Sequence, residues 1–250
     1  MKAKSRQSGL TLTEQAVVIA AIALLVVFGL PAVRAFFRSV ESHGGARAMI
    51  SAGLASARAI AAKEQRYAGI RFQHAYYKDD PDNSPLKAPQ YMIFIVQDPQ
   101  LRAYGFRAVE GLEPIKLPDT VGVMDLRKNY NEKVVDVIRE DDLIDTTTFS
   151  IVFSPSGKLV IHEVRTINRD GEATATVSKD DMFNVESNVK DGVGMFVQDD
   201  DSDKEPSRSS FIIYDKDIFE KVDKDSRYDD YLKDLEVIYI NPYTGTMINR

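Results

Sequence analysis

The hydrophobic positions change period twice along this chain. Residues 15–33 form an apolar run in which only Gln15 is polar. At about 1.5 Å per residue a helix of that run covers roughly 28 Å, close to the ~30 Å hydrocarbon core of a bilayer, and this predicts one membrane-spanning helix. Ala46, Met49, Ile50, Gly53, Leu54, Ala57, Ile60 and Ala61 then recur at three- and four-residue intervals, predicting an amphipathic continuation over 34–63. Gly44-Gly45 marks a weak point where that helix bends or melts. Past residue 64 the pattern becomes short β-rich runs divided by turn formers. Strands are expected at 90–97, 101–109, 147–153, 158–164, 173–177, 211–214 and 237–240. Ser154-Pro155-Ser156-Gly157, set between two apolar runs, is the strongest hairpin signal. Asn241-Pro242 turns the chain into a last short strand. The expected class is α+β, with a long N-terminal helix, membrane-spanning and then amphipathic, packed on a mainly antiparallel sheet.

Charge orients the first segment. Lys2, Lys4 and Arg6 precede the apolar run with no acid among them, so the positive-inside rule keeps the N-terminus cytoplasmic and sends the rest across. Everything after Val33 carries 29 basic and 37 acidic side chains. Such an acidic domain argues against nucleic acid, whose binders present a basic stripe to displace counterions. The apolar run is longer than the 7–15 residues of a cleavable secretory signal, and it lacks a small-x-small site at its end. The absence of Cys from all 250 residues excludes thiol chemistry, disulfides and Cys-built metal sites.

Glu14 is the residue that asks for an explanation. A carboxylate at the front of a membrane helix costs on the order of 2.5–3.5 kcal/mol at depth, so it needs a partner or a role. It could cap a helix N-terminus with Thr11, three residues earlier. Yet Gly9-Leu10-Thr11-Leu12-Thr13-Glu14, after a basic leader and before an apolar helix, resembles the type IV prepilin motif. The resemblance implies a membrane-embedded prepilin peptidase that cuts between Gly9 and Leu10 and methylates the new amine, with Glu14 as fifth residue of the mature chain. Pro31 stands where many pilin-like helices carry a kinking proline. Leu10 replaces the usual Phe, and Thr13 the usual aliphatic residue. The stretch 51–72 looks like the helix-to-first-strand passage of H-type minor pseudopilins of type II secretion and their FimT-like relatives. Physically, the Leu10 amine of one subunit could meet the Glu14 carboxylate of its neighbour, cancelling two costly charges only in one packing register.

On this reading the chain divides into a leader (1–9), a transmembrane segment (10–33), a periplasmic amphipathic segment (34–63) and a β-rich domain with acidic loops (64–250). The resemblance implies a structural subunit of a type II secretion pseudopilus or type IV pilus, single-pass in the bacterial inner membrane with its C-terminal domain periplasmic. Its partners would be other pseudopilins or pilins, the prepilin peptidase, the inner-membrane assembly platform and lipid. The alternative is a signal-anchored periplasmic binding or enzymatic domain, recognisable by a pocket of convergent polar groups.

The catalytic inventory predicts no enzyme and no cofactor. His43, His74 and His162 are scattered, and no Walker loop, Gly-x-Ser-x-Gly or His-Glu-x-x-His occurs. Adjacent carboxylates such as Asp141-Asp142 and Asp180-Asp181 could serve acid–base chemistry but read as charged loops. Three segments read as long loops, at 78–85, at 129–145, whose short apolar centre could hold a helix or a strand, and at 198–207. The last is the most acidic, but it lacks the glycine turn and ligand spacing of a Ca²⁺ loop and reads as solvated. Tyr239 and Tyr243 read as core and edge packing.

Overall fold

The structure, a computed structural model, describes residues 43–76, 88–101, 105–126, 140–171, 177–200 and 204–249. Five helices and fourteen strands lie in these residues. The helices are α1 (His43–Glu64), α2 (Glu140–Thr147), α3 (Glu186–Lys190), α4 (Lys216–Lys221) and α5 (Arg227–Asp230). The strands open with β1 (Ala68–His74), β2 (Gln90–Gln97), β3 (Gly105–Ala108), β4 (Ile115–Lys116) and β5 (Val121–Met124). They continue with β6 (Phe149–Phe153), β7 (Leu159–Val160), β8 (Glu163–Thr166), β9 (Phe183–Asn184) and β10 (Phe196–Val197). The last four are β11 (Glu205–Pro206), β12 (Ser210–Asp215), β13 (Ile238–Ile240) and β14 (Met247–Asn249).

The main sheet runs β11-β8-β3-β2-β1-β6-β7, with β4 also paired to β2. Its central strands are apolar on both faces. Ile70 and Phe72 of β1, Met92 and Phe94 of β2, and Ile151 and Phe153 of β6 pack with Ile50, Leu54 and Ala57 of α1. Ile93, Ile95 and Val152 point the other way, to Phe183 and Phe196. Burial on both sides is why 91–96 reads as an unbroken hydrophobic run rather than an alternating one. A second sheet, β14-β13-β12-β5, lays Phe211, Ile213, Ile238 and Ile240 onto the α1 core. The opposite face of β12 packs Ile212 and Tyr214 against Phe219 and Leu232.

Strands β7 and β8 follow one another in sequence, joined by Ile161-His162 alone, yet they lie toward opposite ends of the sheet order. A two-residue link spans at most about 10 Å, so the sheet has to curl until those ends approach. Ser207 stitches the closure. Its N–H donates to the His162 carbonyl (2.8 Å), its hydroxyl donates to the Val160 carbonyl (2.8 Å), and the His162 N–H donates to that hydroxyl (3.0 Å). The next residue, Arg208, donates its N–H to the Ser150 carbonyl of β6 (2.7 Å).

These findings correct the expected fold. The helix at the start of the described residues is α1, 22 residues long, and no helix among the described residues is long and apolar enough to cross a membrane. Its outward positions, Ala48, Ser51, Ala52, Ala55, Ser56, Ala59 and Ala62, are small or polar, so only one stripe is apolar. Gly44-Gly45 does not interrupt α1 but lies in its first turn. The main sheet is mixed: its pairs are antiparallel apart from β3 with β8, and the separate pair β9 and β10 is also parallel. The domain is thus mixed α/β, dominated by a curled sheet.

Most strand expectations fall close to the elements found. The strand expected at 158–164 divides into β7 and β8, because the chain changes sheet edge at Ile161-His162. Thr147 closes α2 instead of opening β6, its hydroxyl donating to the Leu143 carbonyl (2.6 Å). The hairpin turn is as expected, with Phe153 opposite Leu159 and Gly157 at φ +75°, a left-handed conformation that glycine adopts without a Cβ clash. The strand expected at 173–177 and the loop at 78–85 fall mostly or wholly outside the described residues.

Candidate functional site

The residues expected to carry processing and assembly, Gly9, Leu10, Glu14 and the kink residue Pro31, lie outside the described residues. His43 begins α1, but its side chain is also outside them. The described domain contributes the setting: a helix seated in a core, and buried polar groups that tie its layers together.

Arg58 fastens α1 to two turns far off in sequence. Its Nε donates to the Gly157 carbonyl (2.8 Å), and its Nη1 to the Thr244 carbonyl (2.9 Å). Near the other end of the helix Arg47 pairs with Glu236 at 3.4 Å. The central strands carry a second polar assembly on the face away from α1. There Arg71, almost fully buried, donates to the Gln73 side chain (2.7 Å) and pairs with Asp199. The Asp199 carboxylate also accepts from the Thr166 N–H (2.7 Å) and hydroxyl (2.9 Å). So the acidic run is not simply a solvated loop. Gln198 and Asp199 anchor its start, β11 ends it, and 201–203 lie outside the described residues.

Gln90 joins the two sheets. Its amide nitrogen donates to the carbonyls of Val123 (2.9 Å) and Thr147 (2.7 Å), while its oxygen accepts from the Val123 N–H (2.8 Å). A fully buried glutamine thereby supplies the ladder bonds a neighbouring strand would give β5. Arg208 makes another link, pairing with the buried Asp125.

Two basic side chains converge on one carbonyl. Lys216 Nζ donates to the Ala88 oxygen at 3.0 Å, and His74 Nδ1 lies 3.0 Å from the same atom. Burial, reinforced by the Lys216 charge, pushes His74 down to about 3, and burial lowers Lys216 to about 8. The His74 Nε2 is buried without a partner, consistent with a neutral ring whose unprotonated nitrogen faces no donor. His162 is elsewhere, its ring 4.4 Å from Tyr67 and 5.6 Å from Phe106 between centroids. Asp180 and Asp181 diverge. Asp180 is buried and accepts from the N–H groups of Arg169 (2.6 Å) and Met182 (2.9 Å), whereas Asp181 is solvent-facing. Among the described residues no group of three or more His, Asp or Glu side chains could hold a metal ion.

Sequence reasoning missed Gln90, Arg71, Asp199 and Lys216. The available signal was a polar side chain inside an otherwise apolar strand, as at Gln90 and Arg71. Tyr243 departs from its expected packing role and is 70% exposed, under the Lys158 ammonium. No family model matches the chain, and neither a curated protein nor a solved structure matches it.

Proposed function

We propose that this chain is a structural subunit of the pilin-like class, a minor pseudopilin of a type II secretion pseudopilus or a subunit of a type IV pilus. The observation that carries the reading is Gly9 through Glu14, placed between a basic leader and the apolar run 15–33. Prepilin peptidase cuts after Gly9 and methylates the Leu10 amine. The apolar run holds the subunit in the bacterial inner membrane with the domain on the periplasmic side. Glu14 then meets the amine of a neighbouring subunit and sets the register of assembly.

The outward face of α1 supports the reading. Its alanines and serines present little side-chain bulk and no charge between Ala48 and Ala62 apart from the inward-clamped Arg58, so another helix could approach closely. No catalytic role is assigned to the His74–Lys216 pair, whose polar atoms converge on a backbone carbonyl rather than on a cavity.

The mass of the N-terminal peptide from native membranes, with and without prepilin peptidase, tests the proposal. A chain that starts at N-methylated Leu10 only when the peptidase is present is the expected result. An intact leader on membrane-inserted, assembled protein would overturn it.

A further inference from the structure

On the side of the main sheet away from α1, a cleft opens where the end of β1 and the start of β2 meet the segment between α3 and β10. Tyr76, Pro89, Tyr91, Val189 and Met195 form its walls, with the solvent-facing Asp181 beside them. Its volume is about 450 Å³, inside the roughly 300–1,000 Å³ of small-molecule sites. The walls are tied to one another. The Tyr76 N–H donates to the Met195 carbonyl (3.2 Å), and the Ala75 N–H to the Pro89 carbonyl (3.1 Å). Tyr91 stands edge-on to Phe196, with 5.5 Å between ring centroids. Gly194 brings the third wall in at φ +90°, where a Cβ would lie 2.7 Å from the Asn184 Cβ, so only glycine fits. A cavity braced in this way needs little ordering when it is filled.

The charge of the lining has one sign, because Asp181 is its charged residue. The Arg169 guanidinium lies 3.8 Å from that carboxylate and 3.6 Å from Glu110, and exposed pairs of this kind neutralise little. Lys190 and Lys116, whose charges reach Tyr76 and Tyr91, stand outside the lining and are held by Glu186 (2.8 Å) and Asp119 (2.7 Å). The N–H groups of Ala75, Tyr76, Val189, Gly192 and Met195 all donate to carbonyls of the protein, so few donors remain for an anion. The cleft presents instead two phenol rings, a polarisable thioether and a carboxylate, the groups that attract a positive charge carried on an apolar body. We propose that this cleft binds a small organic cation, an ammonium with apolar substituents, with Tyr76 and Tyr91 as its aromatic walls and Asp181 as its counter-charge. An anion would meet a carboxylate and spent donors, and an uncharged molecule would leave Asp181 without a role. The site is built from the domain alone and depends neither on leader cleavage nor on assembly.

Choline is the probe, and dimethylbutanol, its uncharged carbon isostere, is the control of equal shape. Saturation-transfer NMR on the purified full-length chain in a maltoside detergent should show saturable choline binding, with the isostere several-fold weaker. Tyr76→Leu should weaken choline about 2–5-fold, the factor that a cation–π contact at an exposed site supplies, while Tyr76→Phe keeps the ring and the affinity. Asp181→Asn, at an exposed position, should weaken choline about twofold or more and narrow its advantage over the isostere. Urea midpoints matching the parent chain show that a loss of binding is not a loss of fold, and Asp181→Asn keeps the test decisive if Tyr76→Leu is unstable. Equal binding of choline and its isostere, choline binding untouched by Asp181→Asn, or no saturable binding at all would overturn the site.

Discussion

Gln90 shows how a single side chain can decide where two sheets meet. Replacing it with Leu leaves the Val123 N–H and the carbonyls of Val123 and Thr147 without their partner. Each buried orphan costs about 1–3 kcal/mol, so Gln90→Leu should destabilise the domain by at least about 3 kcal/mol in urea unfolding. Lys216 makes the opposite kind of contribution. Its ammonium is harder to bury than its neutral amine, so its folded value of about 8 lies below the ordinary 10.5. Between those values the unfolded chain binds more protons than the folded one, and stability rises with pH through that window. The gain approaches about 3 kcal/mol at the top of the window, and Lys216→Met should abolish it in urea titrations repeated at pH 7.5 and 10.5. His74 works in the same direction at lower pH. Its folded value near 3 against the ordinary 6.5 means that stability is full above about 6.5 and falls as acid is added toward 3.

At the scale of elements, the pairing of β1 with β6 depends on Gly69. It sits opposite Val152, and a methyl there would run into the Ile151 carbonyl, a backbone atom that cannot move without breaking the ladder. Gly69→Ala should therefore cost more than the 0.5–3 kcal/mol typical of a point substitution, with faster amide exchange in β6 than in β13. Sequence patterning reads such elements well when burial leaves a regular mark, one-sided on a helix or two-sided along a strand. The apolar stripe of α1 and the strand at 90–97 are legible, because period 3.6 and a continuous β-rich run each leave a mark. The division of 158–164 is not legible. Nothing local in Ile161-His162 announces a change of sheet edge, which comes from the distant Ser207 and the curl of the sheet.

For the whole molecule, the assembly proposal places its strongest demand on Glu14. Glu14→Ala should still permit insertion and leader cleavage but reduce filament incorporation, measured as the fraction of chain recovered in sheared or cross-linked assemblies. Normal incorporation would remove the charge-register argument. What the sequence by itself determined is local: the apolar run, the hexapeptide from Gly9 to Glu14 ahead of it, the periodic stripe of α1, the Ser154–Gly157 turn and the acidic balance. Each depends on residues within a few positions of one another, so spacing alone expresses it. What only the tertiary structure decided is non-local. Arg71 meets Asp199 across 128 positions, and Lys216 reaches Ala88 across an equal separation. Arg58 reaches Thr244 across 186. A polar residue in a strand signals that it needs a partner, but the partner is chosen by which layers come together. That choice is made by burial of the whole apolar surface, the dominant non-directional term, and not by any local pattern.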